Sequence, residues 1–244
     1  MTPEITPALL AAIFAMAVLY SSVGHGGSSG YIAVMSLFAL APAFIKPTAL
    51  ALNILVASIG TLQFFRAGYF SFALFWPLAL LAAPLAFFGG AATLPPRAFK
   101  GIVGVVLFLA AVRLVIPQRD VDEPHPPPRA AAIASGGAIG VLAGLTGTGG
   151  GIFLTPLLLF LRWANLRTAA AVSAPFILLN SVAGLAGSFA ATREFPLGGL
   201  ALAGVAGIGG AIGSYLGSKK LAPPRIRQLL ALVLAIASVK LLFT

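Results

Sequence analysis

The chain has 244 residues, 59% of them hydrophobic and 8% charged, with a formal net charge of +10 and a mean hydropathy of +1.04. Soluble domains carry about 25% charged residues, so no water-soluble core absorbs this much apolar sequence, and the chain reads as an all-α integral membrane protein. The absence of cysteine excludes disulfides and thiolate chemistry, His25 and His125 lack the spacing of a zinc site, and the cations stand at the ends of apolar runs as membrane anchors, not as a nucleic-acid footprint.

Ten apolar segments follow in chain order. Pro7–Val23 is preceded by Glu4 and by no Lys or Arg, so it is expected as a retained helix and not a cleaved signal. It runs into a glycine-rich stretch, Ser22-Val23-Gly24-His25-Gly26-Gly27-Ser28-Ser29-Gly30. The next segment, Tyr31–Ala41, falls short of the roughly 20 residues that cross ~30 Å of hydrocarbon, so the pair predicts a broken or re-entrant hairpin. Pro47–Phe65, Phe72–Ala92 and Arg97–Ile116 read as three spanning helices. Gln118–Arg129 holds Asp120, Asp122, Glu123, His125 and four prolines, and reads as an extended polar linker.

The second half repeats this order. Ala130–Leu145 leads into Gly144-Leu145-Thr146-Gly147-Thr148-Gly149-Gly150-Gly151, the short Ile152–Leu161 follows, and then come Thr168–Ala191, Leu197–Gly217 and Arg225–Phe243. Three landmarks recur in sequence: Gly24-His25-Gly26-Gly27 against Gly147-Thr148-Gly149-Gly150, Lys46-Pro47-Thr48-Ala49 against Leu166-Arg167-Thr168-Ala169, and Pro95-Pro96-Arg97 against Pro223-Pro224-Arg225. Their offsets, 123, 120 and 128 residues, predict a duplication with halves at 1–117 and 130–244 joined by 118–129. A hairpin plus three spans crosses an odd number of times, so the halves are expected to be inverted. One side then collects ten of the fifteen cations, among them Arg66, Arg129, Arg162 and Arg167; the other collects Lys46, Arg97, Lys100, Arg193 and Lys240. That bias predicts that the first group, and with it the linker, is cytoplasmic and that both termini are periplasmic.

The two glycine breaks are the candidate site. In a membrane, unwound backbone is tolerated where protein buries it or where it lines a water-filled cavity, and matching breaks in two halves mark the substrate site of repeat transporters. Each break precedes a new helix, expected near Ser28 and near Gly151, whose free N–H groups and positive dipole end attract an anion. His25, the one ionisable group within a break, is a candidate anion contact or proton carrier; Thr148 stands opposite it in the repeat. Asn53 lies on the third segment, and Ser173, Asn180, Gly184 and Ser188 form one face of the eighth that could line the cavity. Gly136, Gly140 and Gly144, like Gly209, Gly213 and Gly217, recur every four residues and read as helix-packing stripes. Pro84 and Pro175 are expected to kink their helices. All five carboxylates fall at ends or loops, which counts against cation pathways and carboxylate proton relays. No Gly-Lys-Ser/Thr follows either break, so neither is a nucleotide loop.

At these residues the chain resembles the sulfite exporter TauE/SafE family, of the toluene sulfonate uptake permease group. The likeness is carried by Gly24-His25-Gly26-Gly27, by Gly144–Gly151 with Leu154-Thr155-Pro156 after it, by the Pro-Pro-Arg helix starts and by the duplicated layout. The resemblance implies an inner-membrane secondary transporter of small anions such as sulfite or organosulfonates, without a cofactor and not an enzyme. It also implies that Gly24, His25, Gly26, Gly27 and Ser28, with Gly147, Thr148, Gly149, Gly150 and Gly151, hold the substrate. Protons are the coupling ion it leaves open. A passive anion channel, a carboxylate transporter and a membrane-embedded enzyme are the alternatives; the enzyme would need a nucleophile–base set that the core does not offer beyond His25.

Overall fold

The computed structural model describes residues 5–22, 24–116, 123–194, 197–219 and 224–243. Glu4, Val23, Pro223 and the first part of the linker, with Asp120 and Asp122, lie outside them. Ten α-helices form: α1 Pro7–Ser21, α2 Ser28–Leu37, α3 Pro42–Arg66, α4 Phe72–Ala91, α5 Pro96–Val115, α6 Arg129–Thr146, α7 Gly151–Phe160, α8 Leu166–Thr192, α9 Leu200–Lys219 and α10 Pro224–Phe243. A single 3₁₀ turn, Leu197–Gly199, precedes α9, and no strand occurs among the described residues.

Local signals set the helix starts. Pro stands in the first turn of α1, α3 and α5, where its missing N–H is no loss. Thr6, Ser71 and Asn165 cap α1, α4 and α8 through their side chains. Pro84 and Pro175 sit inside the continuous spans of α4 and α8.

Five helices are long and apolar enough to cross a bilayer: α3, α4, α6, α8 and α9. Four of them, α3, α4, α8 and α9, are among the expected spans. α6 has 18 residues and qualifies, although it is the first arm of a hairpin. α5 and α10, of 20 residues each, are the remaining long helices.

Helix packing has one pattern seen twice. α4 lies on α6 and α8, α9 lies on α1 and α3, α3 crosses α8, and α5 pairs with α10. Exchanging the first five helices with the last five leaves this pattern unchanged. The glycine stripes explain the first two pairings. A Cβ on Gly136, Gly140 or Gly144 would strike the backbone oxygen of Leu78, Ala82 or Ala86 on α4. A Cβ on Gly209 or Gly213 would strike that of Phe14 or Val18 on α1, and one on Gly217 that of Ser22, which caps its end. Small residues thus let paired backbones touch, which is what drives helix association without a hydrophobic effect between apolar surfaces. Because backbone cannot give way, Gly140→Val is expected to lower the stability of the detergent-purified protein by on the order of 3 kcal/mol. Gly204→Val, where an added Cβ meets nothing, should leave the thermal unfolding curve in place.

α8 is the spine. In its apolar stretch 72% of residues are buried, against 33% in α4. Large apolar side chains such as Phe72, Phe88, Phe160 and Phe243 face outward, as a lipid-facing surface requires.

Candidate functional site

Both breaks are built on left-handed glycines. Gly24 and Gly27 have φ of 79° and 99°; their counterparts Gly147 and Gly150 have 81° and 88°. Only glycine adopts such angles without strain. Gly27 and Gly150 are the N-caps of α2 and α7, so the helices begin at Ser28 and Gly151, where the sequence placed them.

Each break then travels along the long helix of the other half. A Cβ on Gly24 would meet Ala170, and one on Gly26 would meet Ile177, both on α8. A Cβ on Gly147 would meet the Lys46 backbone, and one on Gly149 would meet Asn53, both on α3. The two paths cover matching lengths of helix, about 10 Å of rise each.

The paths converge on Asn53, which is fully buried midway along α3. A Cβ on Gly26 would collide with its Oδ1, and a Cβ on Gly149 with its Nδ2. The Asn53 amide donates to Ser181 Oγ on α8 (2.8 Å). Two further bonds tie the breaks to each other: Ser28 Oγ donates to the Thr148 carbonyl (2.5 Å), and the His25 ring Nε2 donates to the Gly151 carbonyl (3.1 Å). Thr146 and Thr148 hydroxyls pair at 2.9 Å, and Tyr31 Oη donates to the Gly26 carbonyl (3.0 Å). Tyr20 sets its ring edge-on to His25, with centroids 6.4 Å apart.

Two amides at this junction keep polar atoms without a hydrogen-bond partner among the described residues: Asn53 Oδ1, and both Oδ1 and Nδ2 of the fully buried Asn180. Asn180 Nδ2 lies 3.3 Å from where a Gly150 Cβ would be. Leaving such a group unpaired costs about 1–3 kcal/mol. The N-termini of α2 and α7 meet here, each carrying backbone N–H groups that the helix cannot satisfy. No carboxylate is buried among the described residues. The unpaired donor Asn180 Nδ2, two positive helix ends and the lack of a buried carboxylate favour an anion, whereas the orphan oxygens of Asn53 and Asn180 are acceptors and add nothing to that preference.

Of the expected residues, Ser173 goes elsewhere. Its hydroxyl pairs with Thr155 Oγ1 (2.8 Å), a contact between α8 and α7. The polar stripe on α8 likewise disperses: Gly184 packs on α4 and α6, and Ser188 lines a cleft at the helix ends. Three residues at the junction gave no sequence signal that separated them from their neighbours: Ser181, Ile177 and Lys46.

Open space flanks the junction unequally on its two sides. A cleft of about 690 Å³ opens beside the start of α3 and the end of α4; Lys46, Gly90, Ala92, Leu145 and Ser188 help line it. Past Asn53 towards Arg66, a void of about 10 Å³ lies among His25, Gly26, Gly60 and Phe64.

A protein-family model described as Sulfite exporter TauE/SafE matches residues 9–241. The chain belongs to the TauE/SafE family. A similar chain, the probable membrane transporter protein y4hK of Sinorhizobium fredii (strain NBRC 101917 / NGR234), is 38% identical over 242 residues, covering 96% of this chain and 97% of that relative. No solved structure matches. With its apolar helices, this TauE/SafE member is a multi-pass membrane transporter, as the glycine motifs led one to expect.

Proposed function

We propose that the chain is a secondary transporter of a small sulfur oxyanion or organosulfonate in the inner membrane, working by alternating access between two inverted halves, 1–117 and 130–244, with 118–129 as a cytoplasmic linker. The anion sits between the breaks, on the amides at the start of α2 and α7, with Asn53 and Asn180 completing its shell. The observation that carries this reading is the meeting of both breaks at Asn53, beside buried amide atoms that have no hydrogen-bond partner among the described residues. The family description, sulfite exporter, supports the substrate class.

Orientation follows from charge. Arg167 donates to Tyr69 Oη (2.7 Å), and the His125 amide donates to the Arg162 carbonyl (3.0 Å), which gathers the α3–α4 turn, the α8 start and the α7 end on one face. Lys240 donates to the Leu37 carbonyl (2.8 Å) on the other. The richer basic face is assigned to the cytoplasm, so the 690 Å³ cleft opens to the periplasm.

The test is flux of sulfite, methanesulfonate and acetate into proteoliposomes. Saturable flux of the sulfur anions supports the reading. Saturable flux of acetate alone replaces the substrate class, and unsaturable flux indifferent to gradients makes the protein a channel. His25 serves in this reading as a donor bridging the breaks. His25→Gln, whose amide still reaches a carbonyl, should keep flux within about threefold, while His25→Ala should lose about tenfold, the worth of one charge-assisted or buried bond. A pH profile that survives in His25→Gln removes proton carriage from its role.

A further inference from the structure

Lys46 is the one charged side chain buried among the described residues, at 9% exposure. It sits in the second turn of α3, and Nζ donates to three carbonyls at the end of α4: Gly89 (3.3 Å), Gly90 (2.8 Å) and Ala92 (3.1 Å). Withdrawing an ammonium from water is costly even when it is paired. The carbonyls at the end of α4 do not require it. Gly90 and Ala92 themselves line the 690 Å³ cleft, where water can satisfy the last carbonyls of a helix. The buried cation therefore needs a reason beyond capping.

The cleft supplies one. Residues from the first turns of α3 (Pro42, Phe44) and α5 (Pro96, Phe99) line it, which brings two positive helix ends to the same space. Its single lining carboxylate, Glu194, is exposed. At its floor Leu145 and Lys46 adjoin the second break, since the Lys46 carbonyl lies 3.1 Å from where a Gly147 Cβ would be. From there the break leads along α3 to Gly149 and Asn53.

We propose that Lys46 forms an outer anion site, the contact an oxyanion makes in the cleft before it reaches the breaks. The ammonium exchanges carbonyls of α4 for oxygens of the anion, and the anion then moves inward past Gly147. This rests on the transport reading above and adds a second binding station to it. Ala170, which Gly24 faces as Gly147 faces Lys46, stands at the matching place in the second half, so the station belongs to one face.

The test uses the full chain in phosphatidylethanolamine–phosphatidylglycerol vesicles, with sulfite and methanesulfonate as probes. Lys46→Gln should raise KM by about tenfold or more and leave kcat within about threefold, because one charge-assisted contact is lost. Lys46→Arg should bring KM back to within about threefold of the wild type. An unchanged KM in Lys46→Gln, with flux falling only as folded protein falls, makes Lys46 a cap of α4 and overturns the proposal. Should Lys46→Gln not reach the membrane, the wild type decides: saturating methanesulfonate should slow modification of Lys46 by a small amine-reactive reagent at least about fivefold, by mass action. Unslowed modification overturns the proposal. Wild-type vesicles without saturable flux refute the transport reading instead, whereas wild-type flux with an unaltered Lys46→Gln KM refutes the role of Lys46 alone.

Discussion

Gly26→Ala and Gly149→Ala should each reduce anion flux by more than about 100-fold while leaving the protein folded in the membrane. The two variants reach the same result by different routes. Gly149 has φ +70°, so an added Cβ is strained there whatever the space, by about 1–2 kcal/mol. Gly26 is not among the left-handed glycines, so its variant tests space alone. In both, the new methyl group overlaps the amide of Asn53, from the Oδ1 side at Gly26 and from the Nδ2 side at Gly149. Asn53 must then swing away and surrender its bond to Ser181. Displacing a binding group by about 1 Å is enough for a loss on the order of 100-fold. Flux measured in proteoliposomes, with membrane abundance as the control, checks it. Normal flux in either variant would remove that break from the mechanism.

Asn180→Leu should separate function from stability in the opposite sense to a core mutation. Asn180 is fully buried, and neither of its amide atoms has a partner among the described residues. A leucine of nearly the same shape removes that unsatisfied pair, so the thermal midpoint should hold or rise, by the equivalent of about 1 kcal/mol. The same change strips a donor from the anion shell and should raise KM by about tenfold or more. Asn53→Leu is the contrast. Asn53 is bonded to Ser181, so its loss orphans a buried hydroxyl and should lower the midpoint as well as the flux. A stability loss in Asn180→Leu with unchanged KM would mean that the amide is structural.

What the sequence revealed is local in origin. A left-handed residue demands glycine whatever surrounds it, so both breaks and the starts of α2 and α7 at Ser28 and Gly151 could be read directly. The four-residue glycine stripes were legible for the same reason, since close backbone approach needs a missing Cβ at a fixed interval. What it concealed depends on how α3 and α8 cross. Nothing near Asn53 in sequence indicates that Gly26, Gly149 and Ser181 all meet it. The stripe on α8 suggested one cavity-facing side, but a helix buried on nearly all sides has no single inner face, and its polar groups serve different neighbours: Ser173 serves Thr155, Asn180 the break, and Ser188 the cleft. Lys46 read as one anchor among fifteen cations; its burial follows from the end of α4 folding over it. The first arm of the second hairpin, α6, is by itself long and apolar enough to cross, which its place before a glycine break did not reveal.

The central claim is that a negatively charged solute rests between the two breaks. A structure of the protein with bound selenite, the heavier analogue of sulfite, tests it most directly through the anomalous signal of selenium. The account predicts a peak in contact with the backbone amides beside Gly26 and Gly149 and with the side chains of Asn53 and Asn180. Selenium confined to the membrane surface or to the outer cleft, with the space between the breaks empty, would contradict it.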